Sequence, residues 1–370
     1  MKTVAPPVQC NIGNGRPASE MTSEPWPQQT LNFTDVWPMA RGGHVKVAVV
    51  DSGVDASDRQ LPSVATYDMT GTGNRDCAGH GTMVAGIIAA QDRRNDHIPF
   101  LGAAPNVKLI SVKVANDETN NDPRTLARGI RRAAELGAKV INVSLQTPDY
   151  PFLRSAVEYA QNAGALIVAA AGNVTQDKKA SEQALYPASY DGVMSVGASG
   201  RDGKVEDFTD TKSRVSVVAP GKSIISTWPG NSFNIKDGTS FAAPYVAATA
   251  ALVKSYYPSL SAQQIRHRIE ATADGGTSVG SGHGMVNPLR AVTAVLPEEN
   301  TQAKPPVPGQ PVQVARPSHT DPFTRTMALS LVGGALGVAG AVAAGGFIIP
   351  AGRRRNWRPG RRAAPPAAED

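Results

Sequence analysis

Cysteine is scarce: Cys10 and Cys77 are the only two in 370 residues. That excludes a small fold held by many disulfides and a four-cysteine zinc site, and it leaves room for one pair at most. Charge of one sign is also scarce once it is located. The formal net charge is +6, but Arg353, Arg354, Arg355, Arg358, Arg361 and Arg362 face only Glu369 and Asp370 in the last twenty residues, a local +4. The first 350 residues carry the remaining +2, so the bulk of the chain is nearly neutral and does not point to nucleic acid as a partner. No internal repeat is present. The amino terminus, MKTVAPPVQC, has one lysine and no apolar core of seven residues, so no export signal is visible in it. What remains is ample: 41% apolar and 18% charged residues exclude disorder throughout and supply one large domain or two ordinary ones.

Long apolar runs are missing except at 327–350, MALSLVGGALGVAGAVAAGGFIIP. As a helix this run would span roughly 36 Å, enough to cross a hydrocarbon core of about 30 Å with some tilt. Its glycines would weaken a helix in water and are tolerated in a membrane, and Arg353-Arg354-Arg355 follows at once. A transmembrane helix is therefore expected over 326–350, with the basic tail 351–370 cytoplasmic and the rest of the chain outside. Gly333 and Gly337 have helix-packing spacing, which so glycine-rich a run would produce equally by chance. An outside domain needs an export signal, so the expectation is either that one has been removed or that the start was assigned too late.

Residues 297–325 hold seven prolines and no apolar periodicity, and they read as a linker that would reach on the order of 90 Å in polyproline II form. Residues 1–28 are also Pro-rich and irregular. They could be a removable propeptide, a disordered end or an extension wrapping the domain, and a cysteine among them favours wrapping. Between these, 29–296 alternate apolar runs with helical patterns. Strands are expected at 45–50, 107–114, 140–144, 166–171, 193–196 and 215–218. Helices are expected at 81–90, 124–136, 152–163, 241–256 and 262–272, the last opened by Ser261 and Gln264 as a capping box. Continuous apolar strands separated by helices imply an α/β fold with a mostly parallel sheet covered on both faces. Ligands of such sheets sit at the carboxyl ends of the strands.

Three segments place a reactive side chain at an element boundary. Asp51-Ser52-Gly53-Val54-Asp55 follows the first strand, Gly79-His80-Gly81-Thr82 opens one helix, and Gly238-Thr239-Ser240-Phe241-Ala242-Ala243-Pro244 opens another. Pro244 is read as lying in that helix's first turn, where a missing N–H is tolerated. Each segment alone is more simply a turn, a loop or a cap. Together, in the order Asp, His, Ser, they resemble the subtilisin-like serine proteases over about 29–296. Ala169-Ala170-Ala171-Gly172-Asn173 resembles the oxyanion segment of that family, and Gly282-His283-Gly284-Met285-Val286-Asn287-Pro288 resembles its closing turn.

The resemblance implies Asp51, His80 and Ser240 as the catalytic residues. Neutral imidazole, ordinarily titrating near about 6.5, suits proton removal from a serine hydroxyl, and the aspartate fixes its tautomer. Asn173 and the Ser240 backbone N–H would stabilise the oxyanion. The substrate backbone would lie along Ser144, Leu145 and Gln146, where the family usually has a small residue in place of Gln146, so a restricted pocket is expected. Asp55 reads as a turn residue, and His97, His267 and His283 as non-catalytic. No cofactor and no metal are expected.

A catalytic domain, a Pro-rich linker, one C-terminal span and a short basic tail resemble the mycosins, the membrane-anchored subtilases of type VII secretion systems. That resemblance implies a disulfide between Cys10 and Cys77, a peptide or protein substrate, and association with the secretion membrane complex. It also implies a single-pass protein whose catalytic domain is extracytoplasmic. The stretch 91–97, where some mycosins carry a long insertion, is short here. A structural subunit with dispensable proteolysis and a soluble degradative protease released at the linker are the competing readings.

Overall fold

The computed structural model describes residues 10, 12–117, 122–174, 184–276, 280–297, 299, 346, 350 and 352. Buried apolar runs set the sheet. Strands β1 (Lys46–Asp51), β2 (Val64–Asp68), β3 (Lys108–Lys113), β4 (Val140–Val143), β5 (Leu166–Ala170), β6 (Met194–Ser199) and β7 (Val217–Pro220) lie in the order β2-β3-β1-β4-β5-β6-β7. Every pairing in this sheet is parallel. Side chains alternate between two cores: Val47 and Val49 enter one, Ala48 and Val50 the other. Both faces are covered, which is why β1 is apolar at successive positions instead of every second one. Helices α1 (Trp26–Leu31), α2 (His80–Ala89), α5 (Thr239–Tyr256), α6 (Ala262–Thr272) and α7 (Pro288–Thr293) contribute to the first core, and α3 (Pro123–Glu135) and α4 (Pro151–Asn162) to the second.

The helix starts follow local chemistry. Asp122 caps α3 by accepting from the N–H groups of Arg124 and Thr125, and α6 has the reciprocal Ser261–Gln264 capping box that its sequence predicts. The closing turn is a structural fastener: backbone bonds from Val218 to Gly284 and from Val286 to Val218 zip it onto β7, and Asn287 caps α7.

Several elements differ from expectation. β2 and the antiparallel hairpin of β8 (Ile224–Trp228) and β9 (Ser232–Lys236) lack a continuous apolar run and were not anticipated. The sixth strand runs on to Ser199, and the seventh begins at Val217. α1 straddles the expected boundary at residue 28, so the extension and the domain share an element. The extension also exchanges two backbone hydrogen bonds between Arg16 and Phe233, at 2.7 and 2.8 Å, and Trp228 Nε1 donates to the Gly13 carbonyl at 2.8 Å. Cys10 and Cys77 are joined as a disulfide with Cα atoms 4.6 Å apart. These contacts correspond to the wrapping alternative.

The chain divides into two units, Met1–Thr301 and Gln302–Asp370. All the elements above belong to the first. The expected linker 297–325, span 326–350 and tail 351–370 lie outside the described residues, apart from Pro297, Glu299, Gly346, Pro350 and Gly352. Among the described residues no helix is long and apolar enough to cross a membrane.

Candidate active site

Strand order brings the candidate segments together. β1, β4 and β5 are neighbours, so the residues just past or at their carboxyl ends, Asp51, Ser144 to Gln146, and Asn173, lie side by side along one edge of the sheet. Two helices deliver the remaining candidates to that edge. His80 is the first residue of α2, after Gly79 in the left-handed conformation (φ 77°), and Ser240 is the second residue of α5, after Gly238.

His80 Nδ1 lies 2.7 Å from Asp51 Oδ1, both side chains being buried. The same carboxylate oxygen accepts the Ser52 backbone N–H at 2.7 Å. This pair of donors orients Asp51 towards the imidazole and assigns the proton to Nδ1, which leaves Nε2 as the basic nitrogen. The Phe241 ring packs against His80 at 5.2 Å between centroids and limits its rotation.

Ser240 and Ser144 exchange hydrogen bonds. Ser240 Oγ donates to the Ser144 carbonyl at 3.1 Å, and Ser144 Oγ donates to the Ser240 carbonyl at 2.8 Å while accepting from Asn142 Nδ2 at 2.9 Å. Pro244 explains the second of these. Because α5 starts at Thr239, Pro244 lies in the second turn, not the first as its sequence context suggested. It cannot donate to the carbonyl four residues earlier, which is that of Ser240, and this acceptor is left open to the Ser144 hydroxyl.

Asn173 is anchored by its oxygen: Oδ1 accepts the Thr239 N–H at 2.9 Å and the Thr239 hydroxyl at 3.0 Å. The amide nitrogen therefore faces away from that anchor, and a β-carbon built on Gly238 would fall 3.3 Å from it. Gln146 is half-buried and reaches the opposite segment, since a β-carbon on Gly172 would fall 2.7 Å from its Oε1 and 2.4 Å from Leu185. Leu145 is buried. Asp55 serves a turn, with Oδ1 accepting from Ser57 and Oδ2 from the Gly230 N–H. His97, His267 and His283 are exposed and are not among the groups brought to this edge.

Two buried charges beside the site were not anticipated. Asp76, four residues before His80, accepts five hydrogen bonds, and burial raises its pKa against them. Lys113 ends β3 opposite Asp51 in the strand register and donates to the Arg75 carbonyl at 2.6 Å; burial lowers its pKa while Asp68 and Asp76 oppose that effect. Asp76 carries a weak local signal, an acceptor three residues ahead of the glycine before a helix. Lys113 carries none.

A profile of the subtilase family matches residues 42–291. Subtilisin DY of Bacillus licheniformis is 40% identical over 252 residues, covering 67% of this chain and 90% of that one. Mycosin-4 of Mycobacterium tuberculosis is 36% identical over 345 residues, covering 80% of this chain and 74% of that one. The solved structure of the MycP3 protease from the type VII (ESX-3) secretion system superposes with a TM-score of 0.67 at 32% identity, covering 76% of this chain and 91% of that one.

Proposed function

The chain belongs to the subtilase family and is a serine endopeptidase related to the mycosins, and we propose that it hydrolyses peptide bonds through Asp51, His80 and Ser240 while anchored at a cell membrane beside a type VII secretion complex. The observation that carries the catalytic part is the buried 2.7 Å contact between His80 Nδ1 and Asp51 Oδ1, on the sheet edge that also holds Ser240 and Asn173. On binding substrate, Ser240 Oγ leaves the Ser144 carbonyl and gives its proton to His80 Nε2 as it attacks the scissile carbonyl. Asp51 then faces an imidazolium whose charge it stabilises. The oxyanion is met by the free amide of Asn173 and by the Ser240 backbone N–H at the start of α5, where the helix dipole adds to the effect. The leaving amine takes the proton from His80, and water repeats the sequence on the acyl-enzyme. The Gln146 side chain, spanning towards Gly172, narrows the slot before the scissile bond and restricts the side chain accepted there.

The membrane and secretion parts rest on the apolar run 327–350 with its trailing arginines and on similarity to the MycP3 protease of a type VII secretion system. The same kinship favours a second reading, in which the protein stabilises the secretion complex and proteolysis is dispensable for that role. One variant tests the triad, the secretion association and the second reading. Full-length Ser240→Ala, purified in detergent, is expected to lose peptide hydrolysis by on the order of 10⁴-fold or more while retaining bound substrate and secretion-complex subunits on affinity isolation. Unchanged cleavage refutes the triad; isolation without secretion subunits refutes the association. Secretion that continues in cells carrying this variant favours the second reading.

A further inference from the structure

Asp76 is buried in the turn between β2 and α2, and it holds the loops that carry Asp51 and His80. Its Oδ1 accepts the Ser52 hydroxyl at 2.9 Å and the backbone N–H groups of Ala78 and Gly79 at 3.1 and 2.8 Å. Its Oδ2 accepts the Thr82 N–H at 2.9 Å and the Thr82 hydroxyl at 2.6 Å. Each hydroxyl passes the constraint on. Ser52 Oγ accepts the Gly81 N–H at 3.0 Å, and the Ser52 N–H is the donor that orients Asp51; Thr82 Oγ1 accepts the Asp55 N–H at 2.9 Å. The loop after β1 and the first turn of α2 are thus tied to one carboxylate on both of its oxygens.

All five partners of Asp76 are donors. A protonated carboxyl would turn its own O–H towards one of them, so this ring of donors selects the ionised form in spite of burial. A negative charge at the amino end of α2 also suits the helix dipole. We propose that Asp76 is a positioning residue for catalysis: it fixes Asp51 and His80 relative to each other through Ser52, Gly79 and Thr82, and its charge adds to that of Asp51 in favouring the imidazolium. This rests on the triad reading above.

Among the described residues, the charged groups near the start of α2 include Asp55 and Arg75 in the flanking loops and Lys113 on β3. β8 faces it with Ser226, Thr227 and Trp228, and α5 with Phe241; Tyr245, four residues along α5 from Phe241, is deeply buried and neutral. Removing the Asp76 charge should therefore lower the pH at which His80 becomes basic, with Lys113 and Arg75 left less compensated.

The test is the rate at which diisopropyl fluorophosphate labels Ser240 in the full-length protein in detergent, followed against pH. In that reaction Oγ bonds to phosphorus, fluoride leaves and the proton passes to His80, so the acidic limb of the profile reports the imidazole. In Asp76→Asn the limb should move down by about half to one pH unit, and the plateau rate should fall about tenfold. In Ser52→Ala, which keeps the Asp76 charge and cuts the tie to the loop after β1, the rate should fall severalfold with the limb in place. A limb unmoved in folded Asp76→Asn, or Ser52→Ala labelling at the unsubstituted rate, overturns the inference; if Asp76→Asn does not fold, the Ser52→Ala rate decides. Failure of the triad reading looks different: Ser240 takes no label in the unsubstituted protein, or Ser240→Ala is labelled equally fast. Asp76 is then judged by nitrogen NMR titration of the His80 ring, where the same downward shift is expected and its absence overturns the proposal.

Discussion

Asp58 is buried with Oδ1 accepting the Gln60 N–H at 2.8 Å and Oδ2 without a partner. Burial, reinforced by Asp55, raises its pKa from 3.8 to about 6. Between those two values the folded protein holds a proton that the unfolded chain releases. Stability from this group is therefore fully present below pH 3.8 and is lost as pH rises through about 6, beyond which nothing more changes. A shift of that size corresponds to roughly 3 kcal/mol at most. Asp58→Asn removes the charge that must be buried at neutral pH. Calorimetric scans should show it melting a few degrees above the unsubstituted protein at pH 7.5 and level with it near pH 3.5. An equal difference at both values would mean that ionisation is not the cause.

Single elements carry the proposed catalytic groups, and their ends are where substitution should be felt most. Gly79 adopts φ 77°, and a β-carbon there would lie 2.5 Å from the Trp228 ring on β8. Gly79→Ala must strain the backbone and displace either Trp228 or the start of α2. A loss of about 1–3 kcal/mol in stability is expected, with peptide hydrolysis falling about 100-fold as His80 shifts against Asp51. Thermal melting and initial rates would check both, and an active Gly79→Ala protein would mean that the start of α2 tolerates movement. The same elements show what was readable beforehand. β1, β3, β4 and β5 were legible because burial on both faces leaves an unbroken apolar run, and the side chains just past or at their ends followed from their positions. β2 is an edge strand with mostly half-buried side chains, and β8 and β9 place Ser226, Thr227 and Asn234 among their apolar residues. Periodicity has nothing to register in such segments. The start of α5 was missed by two residues because Gly238 and Pro244 bracket it with conflicting boundary signals. Lys113 was illegible because its acceptor, the Arg75 carbonyl, is 38 residues away in sequence; Asp76 was readable only as a local acceptor, since its tie to Ser52 crosses 24 residues.

At the scale of the whole peptidase unit, the question is whether the amino-terminal extension is an attachment or a component. Its backbone pairs with β9 at Arg16, its Gly13 carbonyl takes the Trp228 indole N–H, and Trp26 Nε1 donates to the Lys222 carbonyl at 3.1 Å. Between extension and domain lies a cleft of about 1000 Å3 lined in part by Cys10, Asn14, Arg75 and Asp76. The disulfide from Cys10 enters the turn that bears Asp76 and leads into His80, so the extension, the hairpin and that turn form one closed circuit. With a sequence separation of 67 between the cysteines, the chain-entropy contribution of this crosslink is about 4 kcal/mol. Replacing both cysteines by alanine should lower the melting temperature by roughly 10 °C. Deleting residues 1–15 should lower it further, because the Gly13–Trp228 bond is lost as well as the crosslink. If the extension were only a removable leader, the deletion would melt no lower than the cysteine-free protein, and a pair of thermal scans distinguishes the two.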